Sequence, residues 1–281
     1  MVSHVYMARS LPSADPNGLS DPYVEIYCGG SKAVSSVRPE TLNPVWYENM
    51  KIKVTLPVNP ILRRPLNVMV WDQDFGSAAL PSLFSDDFLG CVDLSWKDAF
   101  GARFTSKDFH TYAEPTSWIP LTDPADGSRS GEILLSFQLF PVSEDGKAST
   151  AGDMNIIPEF IRDCQLQITA LGCRNLAPFG IRSVNNSLLE FDLAASTSTV
   201  SATGPQGKKK KVPKVAQLLR TKRVNVPSGS DPNFSHTFNV NVNVPINPLF
   251  APIITIRCID SWLFGLKTPM VGTGRIVLES L

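Results

Sequence analysis

Short runs of β-branched and aromatic residues, each cut off by Pro, Gly, Asn or Asp, recur along the whole chain, whereas the 3.6-residue period of an amphipathic helix is scarce. That rhythm excludes helical bundles and repeating strand–helix units. It leaves an all-β architecture. The first half supplies His4 to Met7, Tyr23 to Cys28, a short run near Val34, Trp46 to Leu56, Leu66 to Trp71, Phe88 to Leu94, Trp118 to Leu121 and Glu132 to Phe140. About eight strands in about 140 residues suit a small antiparallel sandwich whose alternating side chains fill the space between two sheets.

Residues 142–158, rich in Ser, Gly, Asp and Lys, lack an apolar period and read as a linker. The rhythm then restarts with Leu166 to Leu171, Leu188 to Leu193, a strand ending near Val226, Phe238 to Val244, Ile253 to Ile259 and Val271 to Leu278. The 281 residues thus predict two antiparallel β-sandwiches in tandem, over 1–141 and 159–281, the second about two strands short of the first. Weak self-similarity links them: Leu42-Asn43-Pro44 and Asp231-Pro232-Asn233-Phe234 each precede a long strand, and Trp71-Asp72 is echoed by Ile259-Asp260. Between strands of the second unit, residues 196–223 form a Ser/Thr/Gly-rich insertion that runs into a basic cluster.

Charge and composition remove several functions. Lys plus Arg and Asp plus Glu number 26 each, so no global positive charge holds nucleic acid. The balance is uneven, with 12 basic and 18 acidic side chains in residues 1–150 against 14 and 8 afterwards. Five scattered cysteines, an odd number in mostly apolar runs, read as reduced thiols of an intracellular chain. No apolar stretch approaches the roughly 18 to 20 residues that span a bilayer, so a membrane would be met from its surface. His4, His110 and His236 stand alone and no Gly-x-Ser-x-Gly elbow occurs; an enzyme is not expected.

Five carboxylates fall where strands should end. Asp15 and Asp21 bracket a turn-forming segment before the strand at Tyr23, Asp72 and Asp74 follow the strand ending at Trp71, and Asp87 closes the next loop. A sandwich gathers its loops at two ends, so these loops can point their carboxylates at one another. Ionised together they repel, and a hard divalent cation resolves the conflict. Calcium (Ca2+), with 6 to 8 oxygen ligands in a flexible shell, suits separated loops better than magnesium. An EF-hand starting at Asp15 fails, because its sixth position is Ser20 and its twelfth Ile26. The competing reading is turn capping, for which Asp is common. Leu19 and, in the long segment between Asp74 and Asp87, Leu80, Leu83 and Phe84 are apolar where a solvated loop would be polar, which suggests insertion into a membrane interface or tucking against the parent domain.

The run Ser20-Asp21-Pro22-Tyr23, with Thr41-Leu42-Asn43-Pro44-Val45-Trp46, Trp71-Asp72-Gln73-Asp74 and Asp87-Phe88-Leu89-Gly90, resembles a calcium-binding C2 domain. The resemblance implies calcium ligation by Asp15, Asp21, Asp72, Asp74 and either Asp86 or Asp87, of which Asp87 lies nearer to Phe88-Leu89-Gly90. Leu171-Gly172-Cys173-Arg174-Asn175-Leu176, Asp231-Pro232-Asn233-Phe234, Pro252-Ile253-Ile254, Ile259-Asp260, Phe264-Gly265 and Val271-Gly272 resemble the divergent C2 domain near the C-terminal end of ferlins. In order, the pair is similar to the penultimate C2 modules of a ferlin. Only Asp260 remains of the second module's carboxylates, with Trp262 where another would fall, so calcium binding is expected of the first module alone.

The expected function is calcium-dependent binding of an anionic phospholipid surface, at the cytoplasmic face of a membrane, within a longer ferlin-like protein anchored by a helix outside this chain and acting in vesicle trafficking, fusion or exocytosis. Calcium would cancel the repulsion between the acidic loops and the anionic leaflet. Lys208, Lys209, Lys210, Lys211, Lys214, Arg220, Lys222 and Arg223 either bind phosphoinositide or other anionic head groups or form a solvated loop. The rival class is a calcium-independent scaffold whose second module binds protein partners.

Overall fold

The computed structural model describes residues 1–74, 85–100, 112–113, 116–140, 156–178, 183–193, 218–226, 228–261 and 269–278. It divides into two compact units, residues 1–14 with 19–157 and residues 15–18 with 158–281.

In the first unit, β1 (Val2–Arg9), β2 (Pro22–Cys28), β3 (Ser31–Val34), β4 (Val45–Lys51), β5 (Leu66–Asp72), β6 (Asp87–Leu94), β7 (Tyr112–Ala113), β8 (Ser117–Thr122) and β9 (Arg129–Leu139) pair in the order β3-β2-β5-β6-β8-β9-β1-β4, with β7 beside β9. All pairings are antiparallel. The single pair Cys91–Thr122 joins two layers, β3-β2-β5-β6 and β8-β9-β1-β4, into one continuous sheet folded over on itself. Both layers feed one core: Val24, Ile26, Val68, Val70 and Leu89 from the first meet Val5, Trp46, Met50, Leu121, Ile133, Leu135 and Phe137 from the second. Period-2 alternation explains why these residues face inward. A short helix, α1 (Trp96–Phe100), tucks Trp96 and Phe100 under the same core.

The strand expected to run to Leu56 stops at Lys51. Its partner β1 begins at Val2, and the Met1 amino group and carbonyl take the last hydrogen bonds, to Ile52.

In the second unit, β10 (Phe160–Gly172) pairs with β14 (Asn233–Pro245), while β11 (Asn186–Asp192), β12 (Leu218–Arg220), β13 (Val224–Asn225), β15 (Ile253–Asp260) and β16 (Met270–Val277) form a second sheet. Ile168, Val240 and Val242 from one sheet and Leu189, Phe191, Ile254 and Cys258 from the other close a separate core. The fold is two antiparallel C2-type β-sandwiches, with β7 and β12 additional to the strands that periodicity picks out. All five cysteines are free. No described helix is long and apolar enough to cross a membrane.

Candidate functional site

Leu66, Val68 and Val70 occupy the buried face of β5, and Asp72 is the next residue on that face, 2% exposed. A carboxylate at the end of an apolar row needs a donor. Asp72 Oδ1 accepts the backbone N–H of Asp21. Register adds neighbours, because Asp72 lies opposite Pro22 on β2 and opposite Asp87 on β6. Adjacent strands run about 4.8 Å apart, so Asp21, Asp72 and Asp87 end three neighbouring strands within side-chain reach.

The flanking loop residues join this group. Asp74 N–H donates to Asp86 Oδ1 at 3.2 Å, the Tyr23 hydroxyl donates to Asp86 Oδ2 at 2.7 Å, and Asp21 Oδ1 accepts Glu40 N–H at 2.7 Å. Burial, then the bond to Asp86, pushes the Tyr23 hydroxyl above the usual phenol range. Burial and then the negative charges of Asp87, Asp86 and Asp21 hold the Asp74 carboxyl above the usual carboxylate range. The sequence gives no sign that Tyr23 fixes Asp86; only the pairing of β2, β5 and β6 brings them together.

Among the described residues no three Asp, Glu, His or Cys side chains converge on a point that could hold a metal ion. Asp21, Asp72 and Asp86 are each turned onto backbone or hydroxyl donors, which a cation would have to displace. The donor set is otherwise the kind a hard divalent cation takes: several anionic oxygens from separated loops, with like-charge crowding at Asp74 for the cation to relieve.

The other expected site residues fare differently. Asp15 lies in the turn 15–18, which groups with the second unit; its carbonyl accepts Gly18 N–H at 2.9 Å. Leu19, expected to enter a membrane, is 3% exposed, a correction to that reading. The next residue, buried Ser20, has a hydroxyl that accepts Ala14 N–H and donates to the Pro12 carbonyl. Leu80, Leu83, Phe84, Lys208, Lys209, Lys210, Lys211 and Lys214 lie outside the described residues. Arg220 sits opposite Glu190 in the β11–β12 register and donates to Glu190 Oε1 at 2.5 Å, with its side chain 61% exposed. Lys222 and Arg223 are exposed.

The second unit uses its corresponding carboxylate for structure. Asp260 ends the core-facing row Ile254, Ile256, Cys258 of β15 and is 1% exposed. Its Oδ1 accepts the N–H groups of Asn186 at 2.7 Å and Asn185 at 3.3 Å. Asp231 Oδ1 accepts Asn175 N–H and its Oδ2 accepts the Ser230 hydroxyl; the bond from Asn175 and then that from Ser230 hold the Asp231 carboxyl below the usual range.

Residues 1–121 match the C2 domain family. Over 283 residues the chain is 24% identical to myoferlin of Mus musculus, covering 96% of this chain and 12% of that protein. A C2 and GRAM domain-containing protein of Arabidopsis thaliana is 36% identical over 133 residues, 47% of this chain and 11% of that protein. The solved structure of the two tandem C2 domains of Extended-Synaptotagmin 2, calcium bound, is 16% identical and covers 98% of this chain and 82% of that one, with a TM-score of 0.35. The chain spans little more than a tenth of the length of these curated relatives.

Proposed function

We propose, from the premise that this chain is a ferlin-like tandem of C2 domains, that its first domain binds anionic phospholipid membranes in a calcium-dependent manner, within a longer protein acting in vesicle trafficking, fusion or exocytosis. The observation that supports this most directly is the register that seats Asp72 between Pro22 and Asp87, which gathers carboxylates of three strand ends at one tip. Asp21, Asp72, Asp74 and Asp87 would hold the cation, while Asp86, already bonded to Tyr23 and to the Asp74 backbone, keeps the two loops in place. Calcium, when bound, supplies positive charge at this tip and a coordination position for a lipid phosphate. Ionised and uncompensated, these side chains repel the negatively charged cytoplasmic leaflet, so their charge sets the off state.

Replacing Asp74 and Asp87 together by Asn tests this reading. The pair is chosen because Asp72 also supports the backbone and its loss would confound the result. The variant is expected to lose calcium-dependent co-sedimentation with phosphatidylserine vesicles; sedimentation equal to that of the parent chain refutes the proposal. For the second domain, whose Asp260 is committed to two backbone amides, the favoured reading is a calcium-independent contact with lipid head groups or a protein partner.

A further inference from the structure

The opposite end of the first domain presents a feature that the carboxylate tip does not use. β5 runs from Leu66 to Asp72, so the connection from Lys51 to Leu66 lies one strand length away from Asp72, about 20 Å at 3.3 Å per residue. Along this connection Ile52, Val54 and Leu56 still pack on the core, after which the chain turns outward. Val58, Ile61 and Leu62 are then 88%, 89% and 66% exposed. Single exposed aliphatic residues are ordinary, but three on one tip mark an interaction site.

The tip is held in shape by its own hydrogen bonds. Arg63 Nε donates to the Pro57 carbonyl at 3.0 Å, Asn59 Oδ1 accepts Ile61 N–H at 3.1 Å, and the Asn59 carbonyl accepts Leu62 N–H at 3.1 Å. Trp96 Nε1 donates to the Arg64 carbonyl at 2.7 Å and ties the far side of the loop to α1. The aliphatic side chains are thus presented by a fixed turn, and ordering them costs little on binding.

Charge selects the occupant. Between Lys51 and Arg64 lie Lys51, Lys53, Arg63 and Arg64 and no acidic residue, within a half of the chain that is acidic overall. Lys51, Lys53 and Arg64 are exposed. Asp93 and Asp98, exposed near this end and hydrogen-bonded to Asn67 and Ser95, are two acids against the four cations. An aliphatic tip above a basic collar fits the boundary between acyl chains and anionic head groups, where apolar burial and attraction to the surface act together.

We infer that the 56–64 tip of the first domain is a metal-independent contact for an anionic phospholipid bilayer. It does not depend on the carboxylate end. The test is flotation of the full 281-residue chain in EDTA with phosphatidylcholine vesicles containing phosphatidylserine. Ile61→Asp with Leu62→Asp is expected to lower binding about tenfold, and Lys53→Glu with Arg64→Glu to lower it several-fold. Asp74→Asn with Asp87→Asn should leave this EDTA-resistant binding in place, which separates the tip from the calcium proposal. As a second readout, Ile61→Trp should be quenched by brominated phosphatidylcholine in the same vesicles. No EDTA-resistant binding by the parent, binding by the Ile61/Leu62 variant within about twofold of the parent, or no quenching of the new tryptophan overturns the inference. Because both aliphatic side chains lie in solvent, the variants should melt with the parent chain, which a thermal scan checks.

Discussion

Asp72 in the first domain and Asp260 in the second occupy the same place in the fold, and the strand ends beside Asp72 carry Asp21 and Asp87 where Asn186 stands beside Asp260. Each ends the core-facing row of a central strand and is nearly buried, and each accepts a backbone amide at the strand beside it. Asp72 lies opposite Pro22, and Asp260 lies opposite Ser187, so Asn186 stands where the first domain has Asp21. The carboxylate with a backbone to hold is present in both domains; the charge beside it is present in one. Two roles are therefore superposed at Asp72, a structural clamp and part of an acidic cluster, while Asp260 makes the same clamp to Asn185 and Asn186.

The same register separates another pair, with the largest expected effect on stability. Glu25 on β2 corresponds to Glu190 on β11, three residues along from Pro22 and Ser187. Glu25 pairs with Lys32, whose side chain is largely in water, whereas Glu190 meets Arg257 at 2.6 Å with both side chains buried. Glu190→Ala leaves a guanidinium buried without its carboxylate and should cost about 3–5 kcal/mol, while Glu25→Ala should cost about 1 kcal/mol or less. Urea unfolding of both variants measures the difference, and equal losses would break the comparison.

Next in size is the clamp itself. Asp260→Ala removes the acceptor of two part-buried amides and should destabilise the second domain by about 1–2 kcal/mol, read in the same unfolding experiment. Asp74→Asn should act in the opposite direction. The Asp74 carboxyl is held above its ordinary range, so the native state binds protons more readily than the unfolded state and gains stability as pH falls through the native value. At neutral pH its charge opposes folding, and Asp74→Asn is expected to raise the calcium-free melting temperature by about a degree or two, a small gain for a side chain only partly removed from water. That gain should shrink as the pH is lowered through the carboxylate range.

A subtler distinction concerns thiols. The hydrogen bond to Cys258 pulls Cys173 in the second domain down to about 7, while burial pushes Cys28 in the first up to about 11. Iodoacetamide at pH 7.5 should therefore modify Cys173 well before Cys28, with a rate that rises as pH passes about 7. Peptide mapping after brief labelling checks the order.

Much of this comparison is legible in the sequence because alternation is local. The row Leu66, Val68, Val70 predicts which face of β5 is buried and places Asp72 at its end. The acidic cluster is legible as residue types at strand ends, since turns and carboxylates leave a clear pattern. What escapes is set by partners distant in the chain. Nothing near Glu190 announces Arg257, and Arg220 reads as one more cation of a basic stretch until β12 pairs with β11. Nothing in Asn17-Gly18-Leu19-Ser20 announces that Leu19 is buried. The apolar run through Val54 and Leu56 packs on the core without continuing β4, which ends at Lys51. The aliphatic tip at Val58, Ile61 and Leu62 is equally invisible, because a run of apolar residues does not reveal which of its members meet water.

The direct test of the account is calorimetric titration of the full chain with calcium, run beside the Asp74→Asn, Asp87→Asn variant. Binding heat in the parent chain that disappears in the variant is the expected result. A parent chain that gives no heat, or a variant that gives the same heat as the parent, would contradict the assignment of calcium to the tip of the first domain.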